Sequence, residues 1–319
     1  MTHAGNNFLK KSPCSPMAKS SNPKTSPPIH IPVLLEEVIQ FLAPVDGGIY
    51  IDGTLGLGGH TEKILQSCSP SGRVIGFEWD DDALELAKKR LMPFGQRFSA
   101  QHRSYSEIME GLTEMDIQKA DGVLLDLGVS SLQFDSETRG FSFQSDSPLD
   151  MRMDRRRYPT AEEIVNEFKK DDLADIFYYF GEERQARRIA AHIVEQRSKE
   201  RISTTSHLAQ IIASAIPRKY HPRRIHVATK VFQALRIAVN KELDNLTTVL
   251  DCITDILNPG GRVCIITFHS LEDRLVKWKF KDNPLLQILT KKPVTPGSEE
   301  IKTNPRSRSA KLRAAYLKG

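Results

Sequence analysis

Gly48-Ile49-Tyr50-Ile51-Asp52-Gly53-Thr54-Leu55-Gly56-Leu57-Gly58-Gly59-His60 is the stretch from which the fold is read. Its first five residues are a short apolar run closed by an acid, the pattern of a buried strand. Glycines follow, and a helical pattern begins near His60. Working outward, Arg73 to Glu78 reads as a second strand, and Asp80 and Asp81 open a helix that runs to about Leu91. Gly122 to Asp126 is a third buried strand. Strands alternating with helices predict a parallel sheet covered on both faces, an α/β fold.

From about Phe134 the alternation stops. Polar turns give way to helical patterns, among them Asp172 to Phe177 and Ala186 to Val194. The sheet pattern then resumes with a helix from Lys241 to Leu257, a Pro259-Gly260-Gly261 turn and a strand from Arg262 to Phe268. The expected organisation is therefore one α/β domain, residues 29–133 plus 237–319, interrupted by a mainly helical domain at 134–236. No internal repeat is seen. Residues 1–28 are rich in Ser, Pro, Lys and Asn and carry no apolar stretch, so a disordered tail is expected. The tail lacks the apolar centre of a signal peptide, and translation starting at Met17 is an expectation that the mass of the native N-terminus would check.

Composition narrows the class. The 319 residues suffice for two domains. With 39% hydrophobic and 27% charged residues the balance is globular. The longest apolar runs, such as Val263 to Ile266, fall far short of the roughly 20 residues a membrane span needs. Cys14, Cys68, Cys252 and Cys264 form no CxxC pair, which disfavours a zinc ribbon or a disulfide framework and suits a reducing cytoplasm. A net charge of +5 is only mildly basic, so the placement of the charge matters more than its sum.

The glycine turn has the context of a ligand site, after a strand and before a helix, where a ligand can approach the backbone closely. Glu78 closes the next strand 19 positions after Gly59, near the roughly 20 expected of a carboxylate that binds ribose hydroxyls. Thr61 stands where the dinucleotide fingerprint GxGxxG needs its last glycine, so a nicotinamide cofactor is disfavoured. A P-loop is excluded because no GxxxxGK[ST] occurs. The spacing is closer to the acidic-x-Gly-x-Gly-x-Gly turn of methyltransferases, with Thr54 in place of the first glycine.

Longer strings carry a resemblance. Asp121-Gly122-Val123-Leu124-Leu125-Asp126-Leu127-Gly128-Val129-Ser130-Ser131, Arg139-Gly140-Phe141-Ser142-Phe143, Pro148 to Asp154, Phe232 to Asn240, Phe268 to Arg274 and Asn304 to Ser309 together resemble the bacterial 16S rRNA (cytosine-N4)-methyltransferase family, RsmH or MraW. The likeness also takes in His30 to Leu35 and Gly181 to Arg184, and so covers nearly everything after the tail. It implies a class I (Rossmann-like) methyltransferase fold with an inserted helical domain. It also implies S-adenosyl-L-methionine as cofactor and a cytidine in the decoding centre of the small ribosomal subunit as substrate. By matching position, the cofactor contacts fall on Gly58, Gly59, His60, Glu78, Tyr105, Asp126 and Gln133. Glu78 replaces the usual Asp and Tyr105 the usual Phe, each keeping the needed chemistry.

The cytosine amine is a poor nucleophile, so an acceptor for its proton is expected, and Asp126 at a strand end is the candidate catalytic residue. RNA contact is expected from Arg152, Arg155, Arg156 and Arg157, from Arg187 and Arg188, and from Arg218, Lys219, Arg223 and Arg224. No metal is expected, because no cluster shows ligand spacing. His269 beside Ser270 at a strand end does not make a hydrolase, since no GxSxG elbow exists. The competing readings are a methyltransferase acting on another nucleic acid or a protein, and a non-catalytic ribosome-assembly factor that binds the cofactor.

Overall fold

The computed structural model describes residues 1–3, 31–223 and 225–319. The tail reading beyond residue 3, the Met17 start, His30 and Arg224 lie outside the described residues. Elements in chain order are α1 (Leu35–Leu42), β1 (Ile49–Asp52), α2 (Gly59–Ser67), β2 (Arg73–Phe77), α3 (Asp81–Leu91), β3 (Phe98–Gln101), α4 (Ile108–Glu114), β4 (Ala120–Asp126) and α5 (Ser131–Asp135). Helices α6 (Ala161–Glu167), α7 (Lys170–Tyr179), α8 (Ala186–Arg197), α9 (Thr205–Ala215) and α10 (Thr229–Asn240) follow. The chain continues with α11 (Glu242–Asp251), α12 (Ile253–Ile256), β5 (Leu257–Thr267), α13 (Ser270–Asp282), β6 (Leu286–Ile288), α14 (Ser298–Thr303) and β7 (Lys311–Leu317).

Seven strands form one sheet in the order β3-β2-β1-β4-β5-β7-β6. It is parallel, as expected, except for β7, which pairs antiparallel with both β5 and β6. Alternation along each strand sends side chains to opposite faces. Ile51, Ile75, Val123, Leu125, Val263 and Ile265 enter one core with α4, α11 and α13. Tyr50, Val74, Leu124, Cys264 and Ile266 enter another with α1, α2 and α3. A third core, running from Phe141 to Val239, belongs to α6 through α10. Asn240 ties that third core's loop to the end of α10: its Nδ2 donates to the Met151 carbonyl at 2.8 Å and its Oδ1 accepts from Met153 N–H at 2.7 Å.

Two local expectations are corrected. The helix from Lys241 to Leu257 is in fact α11 and α12, parted at Cys252, and Lys241 sits in the left-handed region at φ 50°. The Pro259-Gly260-Gly261 turn does not precede the strand but is looped out within β5, where the register with β4 jumps from Ala120 opposite Leu257 to Gly122 opposite Arg262. Asp121 spans that bulge, accepting from Asn258 Nδ2 at 2.9 Å and from Ile49 N–H at 2.8 Å.

Candidate functional site

The carboxyl ends of β2, β1 and β4, which are neighbours in the sheet, converge on one place. Ligands of open α/β sheets bind at such strand ends. From β1 comes the glycine turn, in which Gly58 caps α2 at φ 77°, a conformation a side chain would resist. Gly59 is required by packing: a Cβ there would collide with Pro32 Cγ.

Glu78 follows β2 and is 8% exposed. Its Oε2 accepts from Gly56 N–H at 2.8 Å, and its Oε1 accepts from Trp79 N–H at 3.0 Å and Asp80 N–H at 2.9 Å. The carboxyl is thus strapped across the glycine turn. Burial pushes its pKa up to about 7 in spite of those donors. Tyr105 is buried, its ring 6.2 Å from that of Trp79 and its hydroxyl donating to the Glu242 carbonyl at 3.3 Å. Burial, then the Glu242 charge, raises the phenol well above its usual range.

Asp126 ends β4. Its backbone N–H donates to Thr54 Oγ1 at 2.5 Å, and its Oδ1 is buried with no hydrogen-bond partner among the described residues. Burial, then the facing carboxylates Asp52 and Glu272, lift its pKa well above the usual carboxylate range. His60 occupies the first turn of α2. Its Nε2 must donate to the Val33 carbonyl, 2.9 Å away, because that oxygen can only accept. Its Nδ1 faces Asp126 Oδ2, 3.7 Å distant. Asp52 accepts from Thr61 Oγ1 at 2.7 Å, and burial raises its pKa to about 6.

Gln133 is brought to the same edge but is committed to the protein: its Nε2 donates to Asp80 Oδ2 at 2.9 Å and its Oε1 accepts from Ser130 N–H at 3.1 Å. Asp80 was legible as a helix cap, and its Oδ1 does accept from Ala83 N–H at 3.0 Å. Its second role was not legible. Arg139, 4% exposed, reaches the other oxygen at 2.6 Å and gives two further hydrogen bonds to the Arg152 and Met153 carbonyls. Burial alone would raise the Asp80 pKa, yet the donors Gln133 and Ala83 and the Arg139 charge outweigh it and hold the carboxyl below its usual value.

Several of the arginines expected to contact RNA are engaged by neighbouring carboxylates. Arg152 forks onto Asp150 at 2.7 and 2.9 Å and also donates to the Arg155 and Arg157 carbonyls. Arg156 forks onto Asp154, and Arg157 adds a longer bond to the same carboxyl while lying 5.9 Å above the Trp79 ring. Arg155, Arg187, Arg188 and Arg223 are exposed, with no carboxylate within ion-pair distance among the described residues. The acids at positions 150 and 154 stood in plain view between the arginines, and they were the signal.

A cluster invisible to spacing also appears. Ligand atoms of Glu242, His269 and Glu272 lie within 4.8 Å of one another. Their charge is already met from within: Arg236 forks onto both Glu242 oxygens at 2.8 Å. Glu272 Oε2 accepts from Phe268 N–H, and His269 Nδ1 accepts from Glu272 N–H, which makes His269 the cap of α13 and not a strand residue.

Set beside known proteins, residues 28–318 match the model of the MraW methylase family. A protein of Desulfotalea psychrophila named "Ribosomal RNA small subunit methyltransferase H" is 56% identical, the match covering 90% of this chain and 97% of that protein. Proteins of the same name from Cyanothece sp. and Geotalea uraniireducens are 50% and 48% identical, each match covering 90% of this chain and 94% and 97% of theirs.

Proposed function

Because the chain belongs to the MraW methylase family, we propose that it transfers a methyl group from S-adenosyl-L-methionine to N4 of a cytidine in the decoding centre of 16S rRNA. The observation that carries this reading is the meeting of the Glu78 and Asp126 carboxyls over the Gly53 to His60 turn, at three adjacent strand ends. The residues fit the cofactor. Glu78 keeps lone pairs for ribose hydroxyls, Tyr105 supplies an aromatic wall for adenine, Gly58 opens the turn, and the unpartnered Asp126 Oδ1 is placed for a positively charged group.

When bound, the cofactor supplies a methyl already activated by its sulfonium. The protein's part is to align the cytosine amine behind that methyl and exclude water. To accept that methyl the amine must give up a proton, and a carboxylate held at the strand end can take it. Asp126 receives it, with Nδ1 of His60 behind the carboxyl at 3.7 Å. A positively charged cofactor held beside Asp126 would lower its pKa and ready the anion to take that proton.

In this reading residues 29–133 and 237–319 form the methyltransferase unit, and residues 134–236, with their own core, form the unit that holds RNA. Arg155, Arg187, Arg188 and Arg223 are the cations placed to meet phosphates, while Arg152, Arg156 and Arg157 act through Asp150 and Asp154 to shape the loop. Reaching N4 requires the base to be splayed from its stack, at a cost of a few kcal/mol. Among the described residues no helix is long and apolar enough to cross a membrane. The test is methyl transfer from radiolabelled cofactor to small ribosomal subunits lacking the modification, followed by nucleoside analysis. Label in N4-methylcytidine supports the proposal. Label in another nucleoside refutes its chemistry, and tight cofactor binding without transfer indicates an assembly factor.

A further inference from the structure

Helix α13 leaves the rim of the site directly after β5 and packs on the sheet through Glu272, Val276 and Phe280. Its opposite face carries Arg274, Lys277, Trp278 and Lys281, at the i, i+3, i+4, i+7 spacing that aligns side chains on one stripe. All four are exposed, and Trp278 shows 56% of its surface to solvent. Among the described residues neither Lys277 nor Lys281 has a carboxylate within ion-pair distance. Lys279 folds back so that its ammonium lies 5.3 Å above the Trp278 ring while it pairs with Asp251. At the far end Lys318 Nζ donates to the Pro284 carbonyl, adding a further cation just past the last turn. At the near end Arg274 and Ser270 both bond Glu182, in the turn between α7 and α8, so the stripe begins where the helical unit touches the sheet.

We propose that this face of α13 is a second RNA-contacting surface, separate from the arginine loops, on which an RNA strand leaving the site lays its backbone along the lysines and stacks a base on Trp278. The proposal rests on the rRNA-methyltransferase reading. Last-turn lysines complement a helix dipole, which accounts for Lys281 but not for Lys277 or for an exposed indole on the same stripe. Cations interleaved with an aromatic face are what single-stranded or splayed RNA recognises, since every base can stack and every linkage is anionic. From Arg274 to Lys281 the stripe runs roughly 10 Å along the helix axis, long enough for more than one phosphate.

The test uses the intact protein with cofactor present, small ribosomal subunits lacking the modification, and the naked RNA of those subunits. Trp278→Ala is expected to weaken binding to both by about tenfold, and Trp278→Phe to restore most of it, as stacking values imply. Lys277→Glu with Lys281→Glu is expected to lower the salt slope by roughly 0.7 to 0.9 for each phosphate no longer neutralised. Cofactor affinity should stay at the wild-type value in every variant, and RNA should quench wild-type tryptophan emission more than that of Trp278→Phe. Unchanged affinity and slope in a wild-type background that methylates subunits would overturn this inference and leave the enzyme reading standing. Weakened binding to subunits with unchanged binding to naked RNA would also overturn it, by making the partner a protein. A wild-type protein that binds neither probe would overturn both.

Discussion

Glu78 offers the sharpest numerical test of the site. Its carboxyl is buried and its pKa raised to about 7, so above that pH the ligand-free fold carries an ionised group in a place that disfavours it. Below an ordinary glutamate value near 4.5 both folded and unfolded chains hold the proton and no penalty arises. Between 4.5 and 7 the folded chain keeps a proton the unfolded chain has released, so stability falls as pH rises and the loss is complete above 7. At about 1.4 kcal/mol per pH unit the gap amounts to about 3 kcal/mol. Glu78→Gln removes this dependence. Urea unfolding of wild type and variant, without cofactor, should therefore show the difference in their stabilities moving by about 3 kcal/mol in favour of the variant from pH 4.5 to pH 8. Asp52, raised to about 6 by burial, acts in the same direction but cancels between the two proteins. The variant's amide turns a donor toward Gly56 N–H, a roughly constant cost that does not alter the slope. In the same proteins the loss of charge-assisted bonds to ribose should weaken S-adenosylmethionine binding by about 10- to 100-fold, following the 1.5–3 kcal/mol of a hydrogen bond to a charged group. Parallel stability curves across the pH range would refute the assignment of a strained, ribose-seeking carboxylate.

Asp126→Asn should lower turnover by about 100- to 10,000-fold, the span of general-base catalysis, and weaken cofactor binding by about 10- to 100-fold, the loss of one charged contact; full turnover at saturating cofactor would end the acceptor role. Neutralising Arg155, Arg156 and Arg157 together should weaken RNA binding and reduce its salt slope by roughly 0.7 to 0.9 per phosphate released, and Arg155→Gln alone should account for more of it than Arg156→Gln. Binding isotherms at several salt concentrations would reveal the opposite order if Asp154 were not holding Arg156. Arg139→Ala strands Asp80 in a buried place and should destabilise the fold by about 3–5 kcal/mol in denaturant titration; a change near zero would mean that the pair is solvated.

The sheet's centre was legible because each of its strands announces itself locally. Gly48 to Asp52, Arg73 to Glu78 and Gly122 to Asp126 are short apolar runs each closed by an acid, with the continuous apolar stretch that strands covered on both faces need. β3 was not, since Phe98-Ser99-Ala100-Gln101 lies at the edge, every residue only partly buried, and needs no such run. β7 was hidden by Arg313, a charge in an otherwise buried strand, tolerable only because Asp273 of α13 meets it at 2.7 Å. The same distinction governs the site. Glu78 and Asp126 could be named from the strands they end. The Asp80–Arg139 pair joins residues far apart in sequence, and the Glu242, His269 and Glu272 group depends on α11 folding back over the start of α13. No local pattern encodes either arrangement.

β4 and β5 lie side by side at the heart of the sheet, yet residues 127–256 run between them. A loop of that length, closed while still a coil, would have to surrender chain entropy before any pairing between the two strands could form. Helices α6 to α10 change that reckoning. Their contacts are short in sequence and their core is their own, the circumstances under which helical units assemble quickly. Once assembled, with Asn240 clipping the end of α10 to Met151 and Met153, they hold the chain leaving β4 near the chain about to enter β5. The helices proposed to hold RNA would thus also favour an order of events in folding, in which the middle of the sequence condenses first and the two flanks of the sheet are delivered to each other afterwards.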